Sequence, residues 1–120
     1  MPALAEPISH YTDGVRVGKL LFVSGCVPVD GQGRVVSDDL IEQTRQVFAN
    51  IEQVLAAAGT TFAHVAKVTV FLIDVGDREA IDVVRREIFG ETRPASTLVE
   101  VSRLAVPGAR LEIEAVALVP

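Results

Sequence analysis

Residues 15–17, VRV, alternate apolar and polar, Gly18-Lys19 makes a turn, and LLFVSG follows. This period of two predicts a β-hairpin whose second strand runs from about Leu20 to Val27. DGQG at 30–33 reads as a loop, because Gly and Asp tolerate positive φ, and RVV at 34–36 as a short extra strand. From Asp38 the period becomes helical. Leu40, Thr44, Val47, Phe48, Ile51, Val54, Leu55 and Ala58 form one stripe, which predicts a helix over about 38–58 with Glu42, Gln46, Glu52 and Gln53 on its wet face. Asp39 and Glu42 have the spacing of a capping box, and Gly59 stands where a left-handed stop belongs.

VAKVTVFLID at 65–74 alternates again, with Val68, Val70 and Leu72 on one face and Thr69, Phe71 and Ile73 on the other. Both faces are largely apolar, so this strand is expected to be central and covered on both sides. Asp77 is placed to cap a second helix reaching Phe89, with Ile81, Val84 and Ile88 inward and Gly90 as its stop. After Pro94 the pattern predicts strands over about 96–104 and 110–119, joined as a hairpin by AVPGA. Residues 1–9 read as a loose arm. The order ββ(β)αβαββ predicts an α+β class: one mixed sheet with both helices on one face, in a single domain spanning 1–120. Phe71, Ile73, Val116 and Leu118 would then stand on the face the helices leave open, which predicts an oligomer.

Composition sharpens this picture. With 49% hydrophobic but only 5% aromatic residues, the core has to be built from Val, Ile, Leu and Ala. A net charge of −5 removes the phosphate attraction that drives most nucleic-acid binding. The adjacent cations Arg85 and Arg86 lie in a predicted helix, where neighbours point in different directions, so no basic patch is expected. A single cysteine excludes an internal disulfide and fits a reducing compartment. The N-terminal MPALAEPISH lacks a signal peptide's cations and apolar run, and no stretch approaches a membrane span. The chain reads as soluble and cytoplasmic, with no nucleic-acid or membrane partner.

Few polar residues could carry chemistry. Ser24 ends a buried strand beside Gly25, which would let a ligand approach the backbone; the alternative is a buried hydroxyl satisfied by its neighbours. Cys26 shares Ser24's face by alternation, and packs as an inert thiol unless a cation lowers its pKa. Glu112 and Glu114 project together onto a mostly apolar face, which makes either a candidate acid or base, or else a partner for Arg103, Arg110 or Lys67. His10 and His64 are isolated, and no HxH, HExxH or CxxC spacing supports a metal site.

Taken together, these blocks resemble the reactive intermediate deaminase (Rid, or YjgF-like) family. The blocks are HYTDGVRVG at 10–18, LFVSG at 21–25, AAG at 57–59, VAKVTVFLID at 65–74, RPASTLVEVSRL at 93–104 and LEIEAVA at 111–117, and the likeness covers about 9–119. It implies a chorismate-mutase-like fold and a homotrimer whose sheets face a barrel-like centre, with small-metabolite pockets between subunits. Members with the deaminase activity hydrolyse enamines and imines shed by pyridoxal-phosphate enzymes, without a cofactor of their own; some relatives act on aminomuconate-type compounds.

By position, the resemblance places Tyr11 at the pocket rim, Ser24 in the SG element and Glu112 as the residue that positions the attacking water. Deaminating members carry R-P-A-R, and the second arginine clamps the substrate carboxylate. Here that place is Ser96; Arg93 occupies only the preceding one. Leu98 stands for the family's cysteine, Asp82 for its asparagine, and Cys26 for the glutamine after SG. Ser96 and Thr97 remain able to bind a neutral or carbonyl-bearing ligand. The expectation is an enamine- or imine-hydrolase of changed specificity, in which carboxylated, amino-acid-derived imines lose their clamp because Ser96 replaces the arginine; the alternative is a non-catalytic metabolite-binding or chaperone-like trimer. The family's association with RNA cleavage is disfavoured here by the acidic charge.

Overall fold

The computed structural model describes residues 4–5 and 11–120. The expected loose arm and His10 lie mainly outside the described residues. The elements are β1 Gly14–Val17, β2 Leu20–Cys26, α1 Leu40–Ala57, β3 Val65–Leu72, α2 Arg78–Phe89, β4 Ala95–Glu100 and β5 Leu111–Leu118. The predicted extra strand at 34–36 is reduced to one bridge, Val29 to Val35.

The helix boundaries follow the sequence signals with two refinements. Asp39 accepts from the Glu42 N–H at 2.9 Å, but the box is half-built, since the Asp39 N–H donates to Ser37 Oγ at 3.0 Å. At the other end Gly59 takes φ +80°, the Thr60 N–H reaches the Leu55 carbonyl and the Gly59 N–H reaches Ala56, a Schellman stop. Asp77 precedes α2 but does not cap it through its side chain. Its carboxylate instead accepts both contacts of a 3.0 Å ion pair from Arg110.

The five strands run in the order β1-β2-β5-β3-β4. This corrects the expected final hairpin. β4 pairs parallel with β3 at the sheet edge, while β5 inserts between β2 and β3, antiparallel to both. The reason lies in burial. Leu111, Ile113, Ala115 and Ala117 are all buried on one face of β5, which suits an interior strand, whereas β4 is mostly exposed. The β3–α2–β4 crossover supplies the parallel pair. β4 also ends at Glu100 rather than 104, and residues 101–110 form a long connection instead of a tight turn.

One face of the sheet packs under the helices. Leu21, Val23, Val68, Val70, Leu72, Leu111 and Ile113 meet Val47, Phe48, Ile51, Leu55, Ile81 and Val84 in a single core. The other face carries Val15, Val17, Leu20, Phe22, Val99 and Leu118 exposed, Val17 to 61%. β3 is therefore interior but covered on one side only within a single chain.

Two buried polar residues on α1 organise the loops. Gln43 donates to the Ser37 and Gly108 carbonyls and accepts from the Arg110 N–H. Asn50 donates to the Val27 and Val29 carbonyls. Gln43→Ala leaves backbone groups of the 101–110 connection unpaired, and we expect a loss of about 2–4 kcal/mol. Urea unfolding of the variant checks this; an unchanged midpoint would mean that water replaces the amide without cost.

Candidate functional site

The site grows from an irregularity in β2. Val23 pairs with Ala115 and Cys26 with Ile113, so three steps on β2 match two on β5 and a bulge falls at Ser24-Gly25. An extra residue reverses the alternation. Ser24 follows the open face, while Cys26 returns opposite the core residue Ile113 and packs against the core. The expectation that Ser24 and Cys26 share a face is thereby corrected.

Ser24 is tied down on both sides. Its Oγ donates to the Thr12 carbonyl at 2.6 Å and its N–H to the Asp13 carbonyl at 2.9 Å, which docks the segment before β1. With its proton committed, Ser24 can offer a ligand only lone pairs. Gly25 lines the same cavity as Glu112, and the absence of its side chain has a further effect. Its missing side chain leaves room for Glu112: a methyl group there would stand 2.5 Å from Oε2 and 2.8 Å from Cδ.

Glu112 faces Phe71 across the β3–β5 ladder and Glu114 faces Thr69, both on the open side of the sheet. Neither forms an ion pair or accepts a side-chain hydrogen bond among the described residues. Two of the three proposed structural partners are engaged elsewhere: Arg110 with Asp77, and Lys67 with Thr97 Oγ1. Burial pushes the Glu112 pKa up from its ordinary 4.5, and the charge of Glu114 adds to the rise. Burial likewise pushes the Cys26 thiol up to about 12, aided by Asp13 and Glu112, so it is protonated and unreactive at neutral pH.

These residues line a cavity of about 450 Å³. Tyr11, Ser24, Cys26 and Glu112 meet there, as do Asp13, Glu114 and Asn50. No Lys, Arg or His lines it among the described residues, so it is an acidic cavity. Asn50, which holds the loop after the bulge, was passed over in the sequence; its phase with Gln43, Val47 and Val54 on the buried stripe of α1 was the available signal. No group of acidic, His or Cys side chains able to hold a metal ion occurs among the described residues.

The other candidates lie elsewhere on the chain. Ser96, Leu98 and Asp82 line a separate, wider cleft between α2 and the start of β4, together with Arg78, Arg85, Arg86 and Arg93. That gathering corrects the expectation of no basic patch, since the α2–β4 return brings distant arginines to one place. Thr97 points to the open face, where Lys67 bonds it. His64 is exposed at the end of a short 3-10 turn.

Burial is the larger cause of the raised Glu112 pKa, but the Glu114 charge adds to it, so Glu114→Gln will lower it in part. We expect any activity that needs ionised Glu112 to rise with pH at a midpoint above the ordinary carboxylate value, and that midpoint to move to lower pH in Glu114→Gln. A pH–rate profile of both proteins measures this, and coincident profiles would contradict the coupling.

Fold and cavity together define a small α+β protein with an acidic cavity at a sheet bulge. A family model described as Endoribonuclease L-PSP matches residues 2–119. A RutC family protein of Pyrococcus horikoshii is 43% identical over 93% of this chain and 89% of its own. The 2-iminobutanoate/2-iminopropanoate deaminase of Capra hircus is 35% identical over 92% of this chain and 80% of its own. A crystal structure of a Rid family protein of unknown function from Yersinia pestis superposes with TM-score 0.92 at 35% identity, covering 97% and 93% of the two chains. The chain belongs to this family, that of the Rid and RutC proteins, as its sequence blocks had implied. Among the described residues no helix is long and apolar enough to cross a membrane.

Proposed function

We propose that this chain binds a small imine, enamine or related carbonyl compound and hydrolyses it with water positioned by Glu112, as a trimer with the ligand in the cleft between subunits. The observation that carries the reading is Glu112 itself: a half-buried carboxylate with a raised pKa and no side-chain partner among the described residues, held over Gly25 at the edge of the cavity. Such a group is costly to keep ionised and is a stronger base when it is. It accepts a proton from water as the oxygen attacks the C=N carbon. The resulting carbinolamine takes that proton on nitrogen and expels ammonia as its hydroxyl proton passes to Glu112 and on to the departing ammonia, leaving the carbonyl compound and ammonium. The acidic lining favours the protonated, more electrophilic form of an imine. The family relation to a protein named as a 2-iminobutanoate/2-iminopropanoate deaminase supports this chemistry.

The open apolar face of the sheet supports self-association, since patches of this kind are rarely left to water. Ser96, in place of the arginine of deaminating members, supports a changed specificity; it is also the observation that favours the second reading, a trimer that binds a metabolite without turning it over. Ammonia release from a panel of imines and enamines generated in situ tests the proposal. Acceleration above the spontaneous rate for at least one compound is expected; saturable binding with no acceleration for any would leave the second reading.

A further inference from the structure

The cleft between α2 and β4 is chemically the inverse of the cavity at the bulge. Arg78, Arg85, Arg86 and Arg93 line it, and Asp82 is the one acid among its lining residues. On a chain of net charge −5 this is a local excess of positive charge. Phe89, Pro94 and Leu98 add apolar wall.

Arg85 differs from the other three in being built in. Its side chain is only 17% exposed, its Nη2 donates to Ser96 Oγ at 2.7 Å, and its Nη1 lies 3.6 Å from Asp82 Oδ1. A guanidinium has five N–H donors in a rigid fork. One hydrogen bond and one long ion pair leave most of them without a partner among the described residues. Ser96 is what makes this seat available. A hydroxyl accepts from Arg85, whereas an arginine at 96 would place a second cation against it and could accept nothing.

We infer that Arg85 is the anion-recognising residue of this cleft, its guanidinium seated on Ser96 to take the planar carboxylate of a small ligand whose imine or carbonyl end reaches Glu112 of a neighbouring subunit. This rests on the intersubunit reading given above. The charges divide accordingly: a protonated imine suits the cavity of Asp13, Glu112 and Glu114, and its carboxylate suits the arginine cleft. The two poles occupy separate clefts of one chain, so a short zwitterion meets both only where two copies adjoin. A single well-anchored fork beside apolar wall matches a carboxylate on a short carbon chain better than a polyphosphate. The changed specificity thus comes from moving the clamp from β4 to α2, not from losing it.

Titration with 2-oxobutanoate, a stable keto acid, tests this by calorimetry or NMR, with 2-butanone as the neutral comparator. We expect saturable binding of the acid by the unmutated protein, a loss of about 30-fold or more in Arg85→Leu and Arg85→Gln, and a smaller loss in Arg85→Lys, which keeps charge without the fork. Melting curves confirm that the variants remain folded, and 2-butanone should not distinguish them. The inference is overturned if the acid does not bind, if Arg85→Leu binds it within about twofold of the unmutated protein, or if only inorganic phosphate or a short single-stranded RNA binds in an Arg85-dependent way. Keto-acid binding that needs Arg85 without any imine hydrolysis would defeat the hydrolase reading and leave this one standing. Hydrolysis of carboxylated imines with an unchanged KM in Arg85→Leu would do the reverse.

Discussion

Glu112→Gln will slow imine hydrolysis by about 10²–10⁴-fold, the usual contribution of a positioned acid–base group, and will make the folded protein more stable at neutral pH. The second half follows from the sign of the pKa shift. Folded Glu112 holds its proton more tightly than the unfolded chain does, because burial and Glu114 disfavour the anion. That linkage favours the folded state fully below the ordinary carboxylate pKa and fades as pH rises through the raised folded value. Above it the ionised carboxylate is carried at a cost that glutamine does not incur. The group is half-exposed and screened by solvent, so the gain is a few tenths to about 1 kcal/mol. Melting curves at pH 4 and pH 8 should show the variant's advantage growing with pH. Equal rates for the two proteins would dismiss Glu112 as the water-positioning group; an advantage larger at pH 4 would dismiss the electrostatic account.

Gly25→Ala should be nearly as damaging to activity while barely touching stability. The added methyl would meet Oε2 of Glu112 at 2.5 Å, the far end of a flexible side chain, so the carboxylate swings aside and the backbone stays put. Gly25 does not take a positive φ, so alanine fits the backbone. Displacing a reacting group by about 1 Å costs roughly 10²-fold. Since both changes remove the same carboxylate from the same place, the double variant Gly25→Ala/Glu112→Gln should be no slower than Glu112→Gln alone. Multiplicative losses in the double variant would show that Gly25 acts by some other route.

Much of this arrangement is legible along the chain, and the parts that are not share a cause. The α1 stripe from Leu40 to Leu55 and its glycine stop are local patterns, and they describe the helix well. The alternation of β5 likewise puts Glu112 and Glu114 on the open face in advance of any structure. Strand neighbours are another matter: nothing near β4 or β5 says that β5 slots between β2 and β3, because that pairing is a competition among distant segments. The bulge at Ser24-Gly25 escapes for a similar reason, being a mismatch between two strands and not a property of one. Gln43 and Asn50 sit in helical phase with the core, yet their partners lie on loops far away in sequence. The arginine cleft is assembled only by the return from α2 into β4.

The position of β5 bears on how the polypeptide is made. During synthesis the β1–β2 hairpin and the β3–α2–β4 unit are made before β5, so each waits with a bare edge for the strand that later joins them. Neither half can close the sheet, so the nascent chain stays prone to edge-to-edge sticking until β5 is in place. Completion depends on pairings far apart in sequence, such as Leu20 with Leu118, a non-local topology of the kind that folds slowly.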